Sequence, residues 1–413
     1  MELLKRWRSE NKYLAFTLLY IGFCISYADR AAINIALTAV GQDFSLTPAI
    51  MGAVISIFYI GYAIMQIPGG LLADKFGSKK VIIFTLFLWS IFTLFTGFAW
   101  SLVSLLVIRF FFGLGEGAFP PATFKGIAEY FRKDERPKMT GALVSSNYIG
   151  SAIAPLLVVP LTLAFGWRGM FHALGVIGLM YIAIYWFFIE QKKVTEEKNE
   201  NSNENSSNNG NKMNFKTLLK MPLIWQLLIA WFALSLINKG LDSWMPTYLL
   251  TVRHLDLKSV GILMPLPFIA AGISTGIGGW VMDRFFDKKE KYLIAFCAIC
   301  TAIFLYFMYT AETIAMVITF QCLVYFFKSC VLATTMALPM KLLPGTVVGS
   351  ATGLINFGGQ SAGFISPVII GVIITAFNGS YDAVFLFLIG AACCSALASL
   401  TIKHRDNNTF TVN

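Results

Sequence analysis

The chain has 413 residues, 57% of them hydrophobic and 13% charged, with a formal net charge of +10 and a mean hydropathy of +0.69. A soluble domain carries about 25% charged residues, so this composition excludes an ordinary soluble enzyme and a disordered chain, and points to a polytopic membrane protein. The basic balance would also suit a nucleic-acid partner. The cations fall where membrane topology explains them, however, so no nucleic acid is expected.

In chain order, Lys5, Arg6, Arg8 and Lys12 precede an apolar span holding Asp29-Arg30 where a signal peptide would carry small residues for cleavage, so this span is expected to be retained. Apolar stretches then follow almost end to end, roughly 13–37, 49–72, 81–99, 103–130, 139–164, 169–189, 222–250, 259–282, 291–310, 313–340, 346–376 and 380–402. Each is long enough to cross about 30 Å of hydrocarbon as a helix. The expected fold class is an all-α membrane protein of twelve transmembrane helices. Residues 191–216 are Lys, Glu, Asn and Ser, a polar linker unable to bury a core. It separates an N-terminal six-helix bundle, 1–190, from a C-terminal one, 217–413. Lys and Arg concentrate in alternate connections, whereas the other connections hold only Arg168, Arg253 and Lys258. This pattern predicts cytoplasmic termini and a multi-pass protein of the cell membrane.

Seven cysteines lie in apolar spans. Cys297-x-x-Cys300 lacks a second pair, so helix packing explains these residues better than metal or redox chemistry. His172, His254 and His404 form no cluster. No cofactor, metal or enzymatic activity is expected.

The informative residues are ionisable groups inside spans: Asp29 and Arg30 in the first, Arg109 and Glu116 in the fourth. A charge at bilayer depth costs at least about 2.5–3.5 kcal/mol, so such groups face a bundle interior or a watery cavity and mark ion and proton pathways. Arg109 and Glu116 are seven residues apart and share one helix face. A guanidinium stays charged and grips a carboxylate with two parallel N–H bonds. Desolvation and a nearby Arg push the proton affinity of a buried carboxylate in opposite directions, and Gly115 and Gly117 leave room around Glu116. The purely structural alternative is a set of buried ion pairs, Asp29 with Arg30 or Arg109 and Arg109 with Glu116, that ties two spans together.

The halves are related. A shift of 209 residues lays 52–80 on 261–289, with identities at Gly52/Gly261, Gly69/Gly278, Gly70/Gly279, Asp74/Asp283, Phe76/Phe285 and both Lys79-Lys80/Lys288-Lys289, among others. A parallel six-helix repeat is the pattern of one large transporter class, whose substrate site lies at the midplane. The segment Gly70-Leu-Leu-Ala-Asp74-Lys75-Phe-Gly77-Ser-Lys79-Lys80 resembles the signature loop of the major facilitator superfamily, with a degenerate second copy around Asp283 and Arg284. The resemblance implies a gate. Asp74, among cations at a helix end, makes charge-assisted contacts in one state and breaks them in the other.

Tyr27-Ala-Asp29-Arg30, Arg109-Phe-Phe-Phe-Gly113-Leu-Gly115-Glu116-Gly117-Ala-Phe-Pro120-Pro121, Glu129-Tyr-Phe-Arg132 and Gly166-Trp167-Arg168 resemble the anion:cation symporter family of that superfamily, which includes bacterial carriers of galactonate, glucarate and hexuronates. The resemblance implies that Arg30 holds a substrate carboxylate, Asp29 and Glu116 take up protons, and Arg109 pairs with one of those acids. It also implies that Tyr27, Tyr62, Asn147 and Asn356 face the same cavity. The tenth span departs from the family, lacking a Trp and carrying Lys328 near its middle, followed by Thr334-Thr335. The repeat shift puts Asn238-Lys239 on Asp29-Arg30, making Lys239 a candidate second cation for a dicarboxylate, while Asn356 and Thr334-Thr335 would meet a polyol end. The expected function is proton-coupled import of an organic anion, a sugar acid foremost, by a protein working as a monomer. Transport of phosphate or a small dicarboxylate is the alternative, and a non-transporting sensor on a carrier fold a remote one.

Overall fold

A computed structural model describes residues 12–132, 134–190, 219–286, 289–342 and 345–402. The expected linker 191–216 lies outside the described residues. Among these residues are thirteen helices: α1 Lys12–Asp43, α2 Pro48–Phe76, α3 Ser78–Gly97, α4 Leu102–Gly117, α5 Phe119–Tyr130, α6 Arg136–Phe188, α7 Pro222–Thr251, α8 Leu257–Leu263, α9 Pro265–Phe285, α10 Glu290–Thr310, α11 Ile314–Leu342, α12 Gly345–Ala376 and α13 Asp382–Leu400.

Among the described residues, eleven stretches are long and apolar enough to cross a membrane. One of them runs through α6, whose 53 residues would extend about 80 Å at 1.5 Å per residue, more than two bilayer crossings. Gly166, at φ 67° and ψ 175°, breaks it. Only glycine takes that conformation without strain. The break restores the twelve spans read from the sequence. Prolines 68, 155, 160, 246, 339 and 367 sit inside helices, where neighbouring helices supply the lost backbone partners.

The chain forms two compact units. Unit 1 comprises the described residues of Met1–Asn208 with Asp242–Pro265 and Pro367–Thr375; unit 2 comprises those of Asn209–Leu241, Leu266–Ser366 and Ala376–Asn413. Within unit 1, α2 and α4 touch through backbone. A Cβ on Gly61 would strike the Phe110 carbonyl oxygen, and one on Gly113 the Phe58 carbonyl oxygen. In lipid, where no hydrophobic force drives helices together, such small-residue seams permit the close packing that does. Ser101 and Ser104 form a capping box that starts α4, with Ser104 N–H on Ser101 Oγ at 3.1 Å and Ser101 N–H on Ser104 Oγ at 3.0 Å. Pro120 and Pro121 occupy the first turn of α5, where their missing N–H groups cost nothing.

The Gly166 break has its own clamp. Trp167 Nε1 donates to Asp43 Oδ2 at 3.2 Å, Arg168 Nη1 pairs with the same carboxylate, and Arg168 Nη2 donates to the Ala99 carbonyl at 3.1 Å. The end of α1, the residues after α3 and the kink of α6 are thereby fixed to one another. In unit 2, Ser395 Oγ donates to the Ala230 carbonyl at 2.8 Å and Ser366 Oγ to the Leu236 carbonyl at 2.7 Å. Stacked rings of Phe304, Phe320, Phe327 and Phe307 fill the seam between α10 and α11.

Candidate functional site

Ser26 and Arg30 are four residues apart on α1 and therefore point the same way. Both reach Glu116. Arg30 Nε lies 2.6 Å from Glu116 Oε1, and Ser26 Oγ donates to the same oxygen. The Arg30 side chain is 12% exposed and that of Glu116 is 0% exposed, so this is a charge pair removed from solvent. The guanidinium is walled by aromatic faces, its carbon 4.4 Å from the Tyr62 centroid, 4.9 Å from Tyr27 and 5.4 Å from Phe58. These contacts attract a cation through the ring quadrupole and hold the fork planar and oriented. Glu116 Oε2 has no hydrogen-bond partner.

Asp29, next in sequence to Arg30, points elsewhere, because adjacent residues diverge by about 100° around a helix. It is buried and takes a long hydrogen bond, 3.4 Å, from Thr93 Oγ1 of α3, while its Oδ1 has no partner. Arg109 is also buried. Its guanidinium carbon lies 4.6 Å from the Phe112 centroid and 5.6 Å from Phe58, and its Nε has no hydrogen-bond partner. Phe58 thus serves both guanidinium groups. The ion pair found here is Arg30 with Glu116, which differs from the Asp29–Arg30 or Asp29–Arg109 and Arg109–Glu116 pairs expected of a purely structural set. Asn147 of α6 is half-buried with its Oδ1 unpartnered.

The sequence alone does not single out Ser26, Phe58 and Thr93. Ser26 had a signal, its spacing of four from Arg30. The other two lie on α2 and α3, and only the fold brings them in.

At the α2–α3 junction, Gly77 takes φ 84°, and its N–H closes α2 on the Ala73 carbonyl at 2.9 Å. Asp74 pairs with Lys125 of α5 at 3.1 Å, a partner hidden in the fourth apolar stretch. Lys75 Nζ lies 5.3 Å from the Phe76 ring and Lys79 Nζ 5.5 Å from that of Trp186. Gly70 approaches Pro121. Glu129 caps α3 by accepting from Ser78 N at 3.3 Å and Ser78 Oγ at 2.5 Å. In the second copy, Arg284 is exposed, and the side chain of Asp283 lies outside the described set.

In unit 2, Lys328 is buried. Its Nζ donates to Asn238 Oδ1 and lies 3.5 Å from the Tyr325 centroid. Lys239 is half-buried and Asn356 exposed. Thr334 turns its hydroxyl back onto the Cys330 carbonyl at 3.0 Å, whereas the Thr335 hydroxyl is buried without a partner.

Residues 19–367 match the family model of the Major Facilitator Superfamily. The chain is 28% identical to the hexuronate transporter of Bacillus subtilis over 94% of each sequence. It is 31% identical to the "Probable sulfoacetate transporter SauU" of Cupriavidus necator, over 96% of this chain and 95% of that one. To the "Probable galactarate/D-glucarate transporter GarP" of Escherichia coli it is 28% identical, over 94% and 93%. Among solved structures, a bacterial homologue of the human lysosomal transporter Spinster superposes with a TM-score of 0.80 at 18% identity, covering 95% of this chain and 97% of that one. A D-xylose–proton symporter does so with a TM-score of 0.75 at 12% identity, covering 94% and 96%. Both structures share the fold. The chain belongs to the Major Facilitator Superfamily. It is a multi-pass membrane transporter and not an enzyme.

Proposed function

We propose that the protein imports an organic anion, a sugar acid foremost, together with protons, by alternating access across the cell membrane with both termini in the cytoplasm. The observation that carries this reading is the Arg30–Glu116 pair. Arg30 is the group best suited to bind a substrate carboxylate, and Glu116 already occupies it at 2.6 Å. Protonating Glu116 removes the competing charge and turns the Arg30 fork over to the substrate. Losing the proton restores the pair and expels the anion. Substrate and proton then move together, because one guanidinium cannot serve both carboxylates at full strength. Asp29, buried with one orphaned oxygen, is a second proton acceptor. Arg109, which shares the Phe58 ring with Arg30, tunes the two acids by its charge. Tyr27 and Tyr62 keep the Arg30 fork in plane for the substrate. The names of the relatives support a small organic acid as the cargo. Asp74, paired with Lys125, acts as a latch that breaks and reforms as the carrier turns over.

Uptake into proteoliposomes tests the reading. Glu116→Gln mimics the protonated acid but cannot cycle. It is expected to bind glucuronate and exchange it in counterflow, yet fail to accumulate it under a pH gradient. Normal gradient-driven accumulation by Glu116→Gln would overturn the proposed coupling.

A further inference from the structure

The proline inside α7 frees a carbonyl, and a side chain of α1 covers it. A helical carbonyl accepts from the N–H four residues on, and proline has none, so Pro246 leaves the Asp242 carbonyl without its helical donor. Asn34 Nδ2 of α1 donates to that same oxygen at 3.2 Å. In a membrane interior a freed carbonyl needs such a partner, because water does not supply one. The orientation of the amide follows, since only its NH2 end can face a carbonyl oxygen.

The bond belongs to a seat within unit 1, which takes α7 from Asp242 onward and α12 from Pro367 to Thr375. The α12 part rests on the first turns of α2 through backbone. A Cβ on Gly52 would strike the Pro367 carbonyl oxygen, and one on Gly371 the Pro48 carbonyl oxygen. Trp244 of α7 donates from Nε1 to the Pro367 carbonyl at 3.1 Å, which ties the α7 part to the α12 part. Small-residue faces of this kind fit closely and carry few directional bonds. They can separate and re-form without baring a charge. The Asn34 bond is directional and lightly held. Its length is at the long end of the N–H···O range, and Asn34 Oδ1 is buried with no hydrogen-bond partner. Asn34 also lies four residues, about one turn, from Arg30 along α1.

We propose that Asn34 is a positioning residue of the transport cycle: it clasps the end of α7 to α1 at the carbonyl that Pro246 frees, and the clasp opens when the carrier opens on the side of the membrane opposite its termini. The inference rests on the alternating-access reading above and adds the residue that holds one of the two closed faces. Pro246 makes the clasp possible twice over. It provides the unpaired acceptor, and it weakens α7 at the point where the helix must bend to leave α1.

A distance between nitroxide labels at Ser45→Cys and Lys258→Cys tests it. Both positions are exposed and both belong to unit 1, one between α1 and α2 and the other in α8. The labels are placed in the full chain with its seven cysteines replaced, and the distance distribution is read by pulsed electron paramagnetic resonance. Asn34→Leu keeps the side-chain size and removes the donor. It is expected to raise the ratio of long to short distances about fivefold or more. Asn34→Ala is expected to act alike and serves where Asn34→Leu does not fold. Pro246→Ala returns a helical N–H to the Asp242 carbonyl, so Asn34→Leu added to Pro246→Ala should change the ratio by less than about twofold. That non-additivity separates a clasp on the freed carbonyl from plain packing. An unchanged ratio in both Asn34 variants would overturn the proposal, and so would equal shifts with and without Pro246. The distances are read with no ligand present and judge the clasp alone, whereas wild-type uptake into proteoliposomes judges the transport reading.

Discussion

Replacing Arg30 by Lys keeps the charge and removes the shape, which separates electrostatic attraction from recognition. In the structure the guanidinium uses Nε for Glu116 at 2.6 Å and lies 4.4–5.4 Å from the centroids of Tyr62, Tyr27 and Phe58. Those faces are matched to a flat cation. A lysine ammonium can bond one carboxylate oxygen but not present two parallel N–H groups. Losing one charge-assisted hydrogen bond costs about 1.5–3 kcal/mol, which is roughly a 10- to 150-fold weaker affinity at 1.4 kcal/mol per decade. Lost stacking adds to that figure. Glucuronate titrated into purified protein at mildly acid pH, read by calorimetry, measures the loss, and size-exclusion chromatography establishes that the variant is folded. An affinity within about twofold of wild type in a folded Arg30→Lys protein would place the carboxylate site elsewhere.

The same competition fixes a pH dependence. Substrate binds the form in which Glu116 is protonated and Arg30 released, so wild-type affinity should rise as pH falls, while Glu116→Gln should bind with the same affinity across the range; parallel pH profiles for the two proteins would count against the switch. Gly113→Val puts a Cβ onto the Phe58 carbonyl oxygen in the α2–α4 seam, where overpacking costs about 1–3 kcal/mol; it should lower the unfolding temperature and abolish transport by displacing Glu116. Gly141→Ala, whose new Cβ meets nothing within 4 Å, is the control, and an unfolding temperature as low as that of Gly113→Val would show that the seam has no special standing.

Much of this was legible in the chain. Hydrophobic length alone gave the twelve spans, and the break between the fifth and sixth is visible as Gly166-Trp167-Arg168. Charges in apolar spans pointed to Asp29, Arg30, Arg109 and Glu116, all of which lie in one unit, buried or nearly so. What the chain did not reveal is who pairs with whom. Arg109 and Glu116 share a helix and invited a pairing, yet Arg30 takes the acid because α1 turns Ser26 and Arg30 toward α4. Such a rotation depends on helix packing, set by small-residue seams such as Gly61–Phe110 and Gly113–Phe58, and no local pattern reports it. Lys328 illustrates the same limit. The repeat aligns Asn238-Lys239 with Asp29-Arg30, and the side chain found to meet Lys328 is Asn238. An internal repeat predicts which backbone positions correspond, not which side chains have kept a role.

The Arg30–Glu116 pair is a poor stabiliser, and that itself bears on function. Desolvating two charges can exceed their Coulombic gain, and well-packed apolar replacements of a buried pair are often neutral or stabilising by about 1–4 kcal/mol, whereas removing one partner costs about 3–5 kcal/mol. Glu116 is fully buried, and Ser26 satisfies only the oxygen that Arg30 already uses. A pair kept for stability would leave no carboxylate oxygen orphaned, as Glu116 Oε2 is. A pair kept as a switch must be breakable, and incomplete satisfaction keeps the two states close in energy. The double variant Arg30→Met with Glu116→Leu should therefore unfold at or above the wild-type temperature in detergent. Arg30→Met alone should unfold well below it, or escape only by protonating Glu116, in which case its stability rises as pH falls. Both should be inactive in transport. A double variant destabilised by the sum of its two single changes would show that the pair is structural after all, and would remove the physical reason for regarding it as the coupling element.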